Sequence, residues 1–115
     1  MASVRDLIHA AQKEMRQGNV APVRLCDLLN TLTALIGNVN DELREAELDY
    51  KRVLLSYRQT SKSAVEARMF AETQDEYGRY REAKDTKELA LEMVYTLKTV
   101  LKATQEEMKL NGYQR

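Results

Sequence analysis

The sequence predicts an all-α fold: a long antiparallel helical hairpin, coiled-coil-like, preceded by a short N-terminal helix. Three observations predict it. Four Gly and one Pro in 115 residues leave few places for turns. Apolar residues recur at steps of three and four along two long stretches. The alternating or β-branched runs that mark strands are missing from the pattern. The length suits one helical domain over residues 1–115. The same counts exclude collagen-like, disulfide-rich and Pro/Gly-rich disordered chains.

The first helix is expected over residues 3–17. Ser3 reads as its N-cap and Asp6 as an acid in its first turn, with Val4, Leu7, Ile8, Ala11 and Met15 on one face. Gly18-Asn19 stops it, Gly18 being suited to a left-handed conformation. Pro22 opens the second helix, where a missing N–H costs nothing.

The second helix is expected to run from 22 to 72. Its seam reads Leu25, Leu28, Leu32, Leu35, Val39, then Leu43, Ala46, Tyr50, Val53, Tyr57, Thr60, Ala64, Ala67 and Ala71. The steps form a heptad with one stutter between Val39 and Leu43. Gly37 could end a helix there, with Asn38 or Asn40 capping the next. Continuity or a shallow kink at 37–40 is favoured, because the phase carries across. "RQTSKS" is a second weak point, with a capping pair from Ser63 to Glu66. A turn at 72–74 follows, where Thr73 to Glu76 matches a capping box.

The last helix is expected over 75–110, with Asn111-Gly112 ending it and a frayed tail beyond. Its seam runs Tyr80, Ala83, Lys87, Ala90, Val94, Leu97, Leu101, Thr104 and Met108. Between Leu89 and Leu101 the apolar arc widens to include Leu91, Met93, Tyr95 and Val100, more than one antiparallel partner covers. A homo-oligomer is therefore expected, with Leu89, Met93, Val94, Leu97, Val100 and Leu101 at its interface.

The single cysteine, Cys26, cannot form an internal disulfide and reads as a buried, inert thiol. The only histidine, His9, reads as structural or solvated. The chain shows neither a signal-peptide pattern nor a stretch of membrane-spanning length, so a cytoplasmic protein is expected and no membrane partner. It offers no nucleophile elbow and no phosphate-binding glycine loop. No catalytic residue and no cofactor is therefore assigned.

Two charge patterns bear on partners. Residues 1–50 carry a balance of −3 and residues 51–87 a balance of +3, while the whole chain is neutral. Within the basic part, Tyr77, Arg79, Tyr80, Arg81 and Lys84 combine aromatic faces with cations, as single-stranded nucleic acid requires. The same cations could instead pair with the acidic stretch 41–49 of a second copy.

The carboxylates Asp41-Glu42-x-x-Glu45, followed by Glu72-x-x-Asp75 on the expected turn and by Glu82-x-x-Asp85, resemble the paired acids of MazG-type all-α nucleotide pyrophosphatases. That resemblance implies Mg²⁺ held by Glu42, Glu45, Glu82 and Asp85. Helical spacing puts each pair on one face, as a hard cation needs. The acids read otherwise as a solvated face.

At "NVNDELREAELDYKRVLLSY" and "REAKDTKELALEM" the chain resembles small helical early-region proteins of tailed bacteriophages and prophages. The resemblance implies a supporting role in DNA metabolism and transfers no site residues. The expectation is a non-enzymatic binding protein with a protein partner. An inhibitor of a host nuclease or defence complex is one alternative, and a Mg²⁺-dependent pyrophosphatase the other.

Overall fold

A computed structural model of the chain describes residues 3–18 and 20–113. Four helices appear in it: α1 (Val4–Arg16), α2 (Pro22–Thr60), α3 (Ala64–Ala71) and α4 (Asp75–Tyr113). The described residues are all-α, without a strand.

Helix α1 begins as its sequence dictates. The Asp6 N–H donates to Ser3 Oγ at 3.1 Å and the Ser3 N–H donates to Asp6 Oδ2 at 3.2 Å. Two N-terminal donors are thus satisfied reciprocally. The helix ends before Gly18, whose φ of 77° lies in the left-handed region that a Cβ disfavours. Asn19, assigned to the same stop, lies outside the described residues, as do Met1, Ala2, Gln114 and Arg115.

Helix α2 starts at Pro22 and passes through Gly37 unbroken, so neither Asn38 nor Asn40 acts as a cap. Gly37 has open space around its Cβ position and no left-handed φ, and nothing at this point forces a break. Along α2 and α4, Thr31, Thr33, Thr86, Thr96, Thr99 and Thr104 each donate their hydroxyl to the carbonyl four residues back. β-Branched polar residues are accommodated in this way without an unpaired hydroxyl.

The expected helix over 22–72 is not continuous. It stops at Thr60, bends over 61–63 and restarts as α3. The restart is capped: Ser63 is extended and its Oγ accepts from the Glu66 N–H at 3.1 Å. The Thr73 capping box does not form. Thr73 donates its hydroxyl to the Phe70 carbonyl at 2.7 Å, closing the end of α3 and not the start of α4. Helix α4 runs past the expected end at 110, through Asn111 and Gly112, to Tyr113.

The chain divides into two compact units, Met1–Gly37 with Glu88–Arg115, and Asn38–Lys87. In each, segments of α2 and α4 run antiparallel. The first unit adds α1 and has the larger core: Ile8, Ala11, Leu25, Leu32, Ala90, Met93 and Leu97 are buried together. This corrects the reading of the arc from Leu89 to Leu101. Met93 and Leu97 are core residues of the single chain, and Leu89, Val94, Val100 and Leu101 pack half-buried against that core. Helix α1 is the second neighbour that the broad arc requires. Leu91 and Tyr95 alone of the arc face outward, Tyr95 at 73% exposure.

Helix α1 is also fastened to α2 by charge. Arg24 Nε donates to Glu14 Oε1 at 2.7 Å and Nη2 to Oε2 at 3.0 Å, a bidentate pair. The hydrogen bond from Arg24, and then its charge, hold the Glu14 carboxyl below the ordinary carboxylate range. A depressed carboxylate stabilises the fold above its ordinary pKa and loses that contribution as pH falls through the lowered value. The thermal unfolding midpoint of the wild type should therefore fall with acidification below about pH 4.5. Glu14→Gln should flatten that part of the curve; identical pH profiles would show that the pair adds nothing.

The second unit has a thinner core. Val39, Ala67 and Ala71 are buried, and the seam residues Leu43, Ala46, Val53 and Ala83 are half-buried. Tyr rings complete it. Asn40 carries a buried Oδ1 for which no donor lies in reach among the described residues.

Candidate functional site

The aromatic and basic residues proposed for nucleic acid all lie in the second unit, on the first turns of α4. Their rings are already engaged. Tyr50 of α2 stacks on Tyr80, with centroids 5.5 Å apart and planes 7° from parallel, and meets Tyr77 at 5.2 Å and 35°. Burial among these rings pushes the Tyr50 hydroxyl's pKa up, and the Glu72 carboxylate pushes it further. The cations are tied locally too. Arg79 pairs with Glu76 at 3.6 Å, and Arg81 Nη1 donates to the Tyr77 hydroxyl at 3.4 Å. Lys84 is exposed. Tyr77 and Tyr80 thus serve α2–α4 packing, where the sequence suggested base stacking. The signal for this was present: Tyr50 and Tyr80 both stand on the seams.

The four carboxylates of the metal reading do not converge. Glu42, Glu45, Glu82 and Asp85 are all exposed, and Glu82 and Asp85 stand on the face of α4 opposite its Tyr80–Ala83–Lys87 seam. Among the described residues, no three or more His, Cys, Asp or Glu are placed to hold a metal ion. A shallow depression bounded by Glu45, Leu48, Asp49 and Arg52 is walled by α2 alone, without the enclosure of a small-molecule site.

Cys26 is exposed, against the expectation of a buried thiol. It follows Leu25 on α2, and it is Leu25 that turns inward. His9 is exposed as well, its Nδ1 within 3.3 Å of Gln12 Oε1.

The surface that sequence reasoning missed is α3. Its eight residues, Ala64 to Ala71, are apolar except for Glu66 and Arg68. Ala67 and Ala71 face inward, and Phe70 stacks on Tyr57 with centroids 5.8 Å apart. Val65 and Met69, one turn apart, face outward at 64% exposure each, and Phe70 keeps 47%. Arg68 beside them is exposed. Helical spacing sets Val65 and Met69 opposite Ala67 and Ala71, with Glu66 and Arg68 to either side of the pair. The clue in the sequence was "AVEARMFA" itself, whose Val, Met and Phe fall off the seam.

None of the described helices is long and apolar enough to cross a membrane. Comparison with protein-family models, curated proteins and solved structures gives no match to this chain.

Proposed function

We propose that this chain is a non-enzymatic helical binding protein, and that α3 presents its contact face to a protein partner. The observation that carries the reading is the outward pair Val65 and Met69 with the half-exposed Phe70, on a helix whose inner face is already satisfied by Ala67 and Ala71. Contiguous exposed side chains of this kind mark interaction surfaces. A single short helix with apolar anchors suits a groove in another protein. The phage-type resemblance supports a cytoplasmic accessory role in DNA metabolism or on a host protein complex. Blocking a host nuclease or defence complex uses the same surface. Self-association belongs to this reading, through surfaces other than Met93 and Leu97.

The test places a photo-crosslinker at Val65 in the full chain, in host extract, with and without Met69→Asp. A crosslink to one defined protein, lost at least tenfold in Met69→Asp, is expected; its persistence would overturn the α3 reading. A fall in that protein's own activity on binding would identify an inhibitor. Retardation of labelled single-stranded DNA at about 50 mM salt, abolished by Arg79→Ala with Arg81→Ala, would favour nucleic acid instead. Magnesium-dependent turnover of deoxynucleotides would restore the pyrophosphatase.

A further inference from the structure

The bend at 61–63 interrupts a pattern that the sequence carries straight through. Tyr57, Thr60, Ala64, Ala67 and Ala71 keep heptad steps across it, in phase with the seam of α2. Ser61, Lys62 and Ser63 include neither Gly nor Pro, so each can adopt helical geometry. What holds the bend in place is small: Ser63 caps α3 through its hydroxyl, while the Ser61 N–H still donates to the Tyr57 carbonyl at 2.8 Å, the bond that a continuing helix makes. Helix α3 has eight residues and buries two alanines, far below the length at which a helix stands alone.

The contacts across the bend fix what straightening would do. Phe70 meets Tyr57, and the charges of Arg68 and Glu72 reach Tyr50, so α3 lies folded back along α2. In one uninterrupted helix, residues 57 and 70 would stand about 20 Å apart. Their contact could then be made only by another copy of the chain.

We infer that Ser61–Ser63 is an exchange hinge: α2 and α3 straighten into one helix over 22–72, and α3 with α4 packs onto α2 of a second copy. The occupant is a second copy because it alone carries the same Tyr57, Ala67, Phe70 and Ala71 surfaces. Exchange restores between chains each contact that opening breaks within one, so the two forms differ chiefly in hinge conformation and protein concentration. Short hinges invite such exchange. The inference does not rest on the partner-binding reading, since it needs no other protein.

The experiment compares full-length wild type, Ser61→Ala/Ser63→Ala and Lys62→Pro by sedimentation equilibrium, with circular dichroism as the folding control. Spin labels at Leu48→Cys and Met69→Cys, in Cys26→Ser, are read by pulsed electron resonance after dilution with unlabelled chain. The alanine variant removes the cap and favours helix, so its dimer fraction should rise at least fivefold. A label separation of about 32 Å, that of a straight helix, should appear with it. Lys62→Pro, which cannot pass through a helix interior, should be the least dimeric of the three. An alanine variant that stays monomeric at 100-fold higher concentration than wild type needs would overturn the hinge, as would a dimer lacking the long separation. Should the proline variant not fold, the label distances in the other two decide the matter.

Discussion

Truncating Leu97 to Ala is expected to cost about 3–5 kcal/mol. Leu97 has no exposed surface and lies in the cluster with Ile8, Ala11, Leu25, Leu32, Ala90 and Met93. Three helix segments close around it, so the surroundings can collapse into the gap only partly. Both the transfer loss and the cavity loss then apply. Leu32→Ala, at 3% exposure in the same cluster, should fall in the lower half of the same series. Urea unfolding with an unchanged slope and a lowered midpoint would record the effect. A loss under half a kilocalorie would show that the three helices do not close on this residue.

The second large effect is expected at Tyr50. Its ring is the common member of the Tyr50–Tyr77 and Tyr50–Tyr80 contacts, in a unit whose other buried apolar residues are Val39, Ala67 and Ala71. Tyr50→Ala should cost about 2–4 kcal/mol, set by a half-buried ring and two lost aromatic contacts. Tyr50→Phe keeps both contacts and should cost under about 1 kcal/mol. Near-equal losses in the two variants would mean that the hydroxyl, and not the ring stack, carries the stabilisation. Hydrogen exchange resolved by residue should place the Tyr50→Ala loss first in amides of 38–87.

Sequence and structure agree where the signal is local. The Ser3 cap, the left-handed Gly18 and the start at Pro22 each follow from a few neighbouring residues, while passage through Gly37 follows from the heptad phase that carries across it. They disagree where a pattern has two physical solutions. The heptad phase across 57–71 fits a straight helix, yet folding back buries Ala67 and Ala71 and stacks the half-exposed Phe70 ring on Tyr57 within the chain. The arc from Leu89 to Leu101 shows that two neighbours exist, but periodicity cannot say whether the second is α1 or another copy. The candidate site fared likewise. Tyr and Arg residues on the first turns of α4 match a nucleic-acid surface in composition, and their engagement with Tyr50, Glu76 and each other appears only in three dimensions. The face of α3 was legible only in part: the seam sets Ala67 and Ala71 inward and leaves Val65, Met69 and Phe70 off it, but that a separate short helix carries them appears only in three dimensions.

Asn40 gives the seam of α2 a marker that hydrophobic residues could not supply. Leucine and alanine at heptad positions look alike to a partner helix displaced by one repeat, so an apolar seam by itself tolerates sliding. A half-buried amide with an oxygen left unbonded is not interchangeable with its neighbours. Its cost is fixed by the surroundings that each alignment gives it, and a displaced alignment that sank it deeper would raise that cost. The residue therefore acts as an index mark, discriminating among alignments that burial of Leu32, Val39 and Leu43 leaves close in energy. A seam made smoother at this point would gain cohesion and lose some of its memory of which residue faces which.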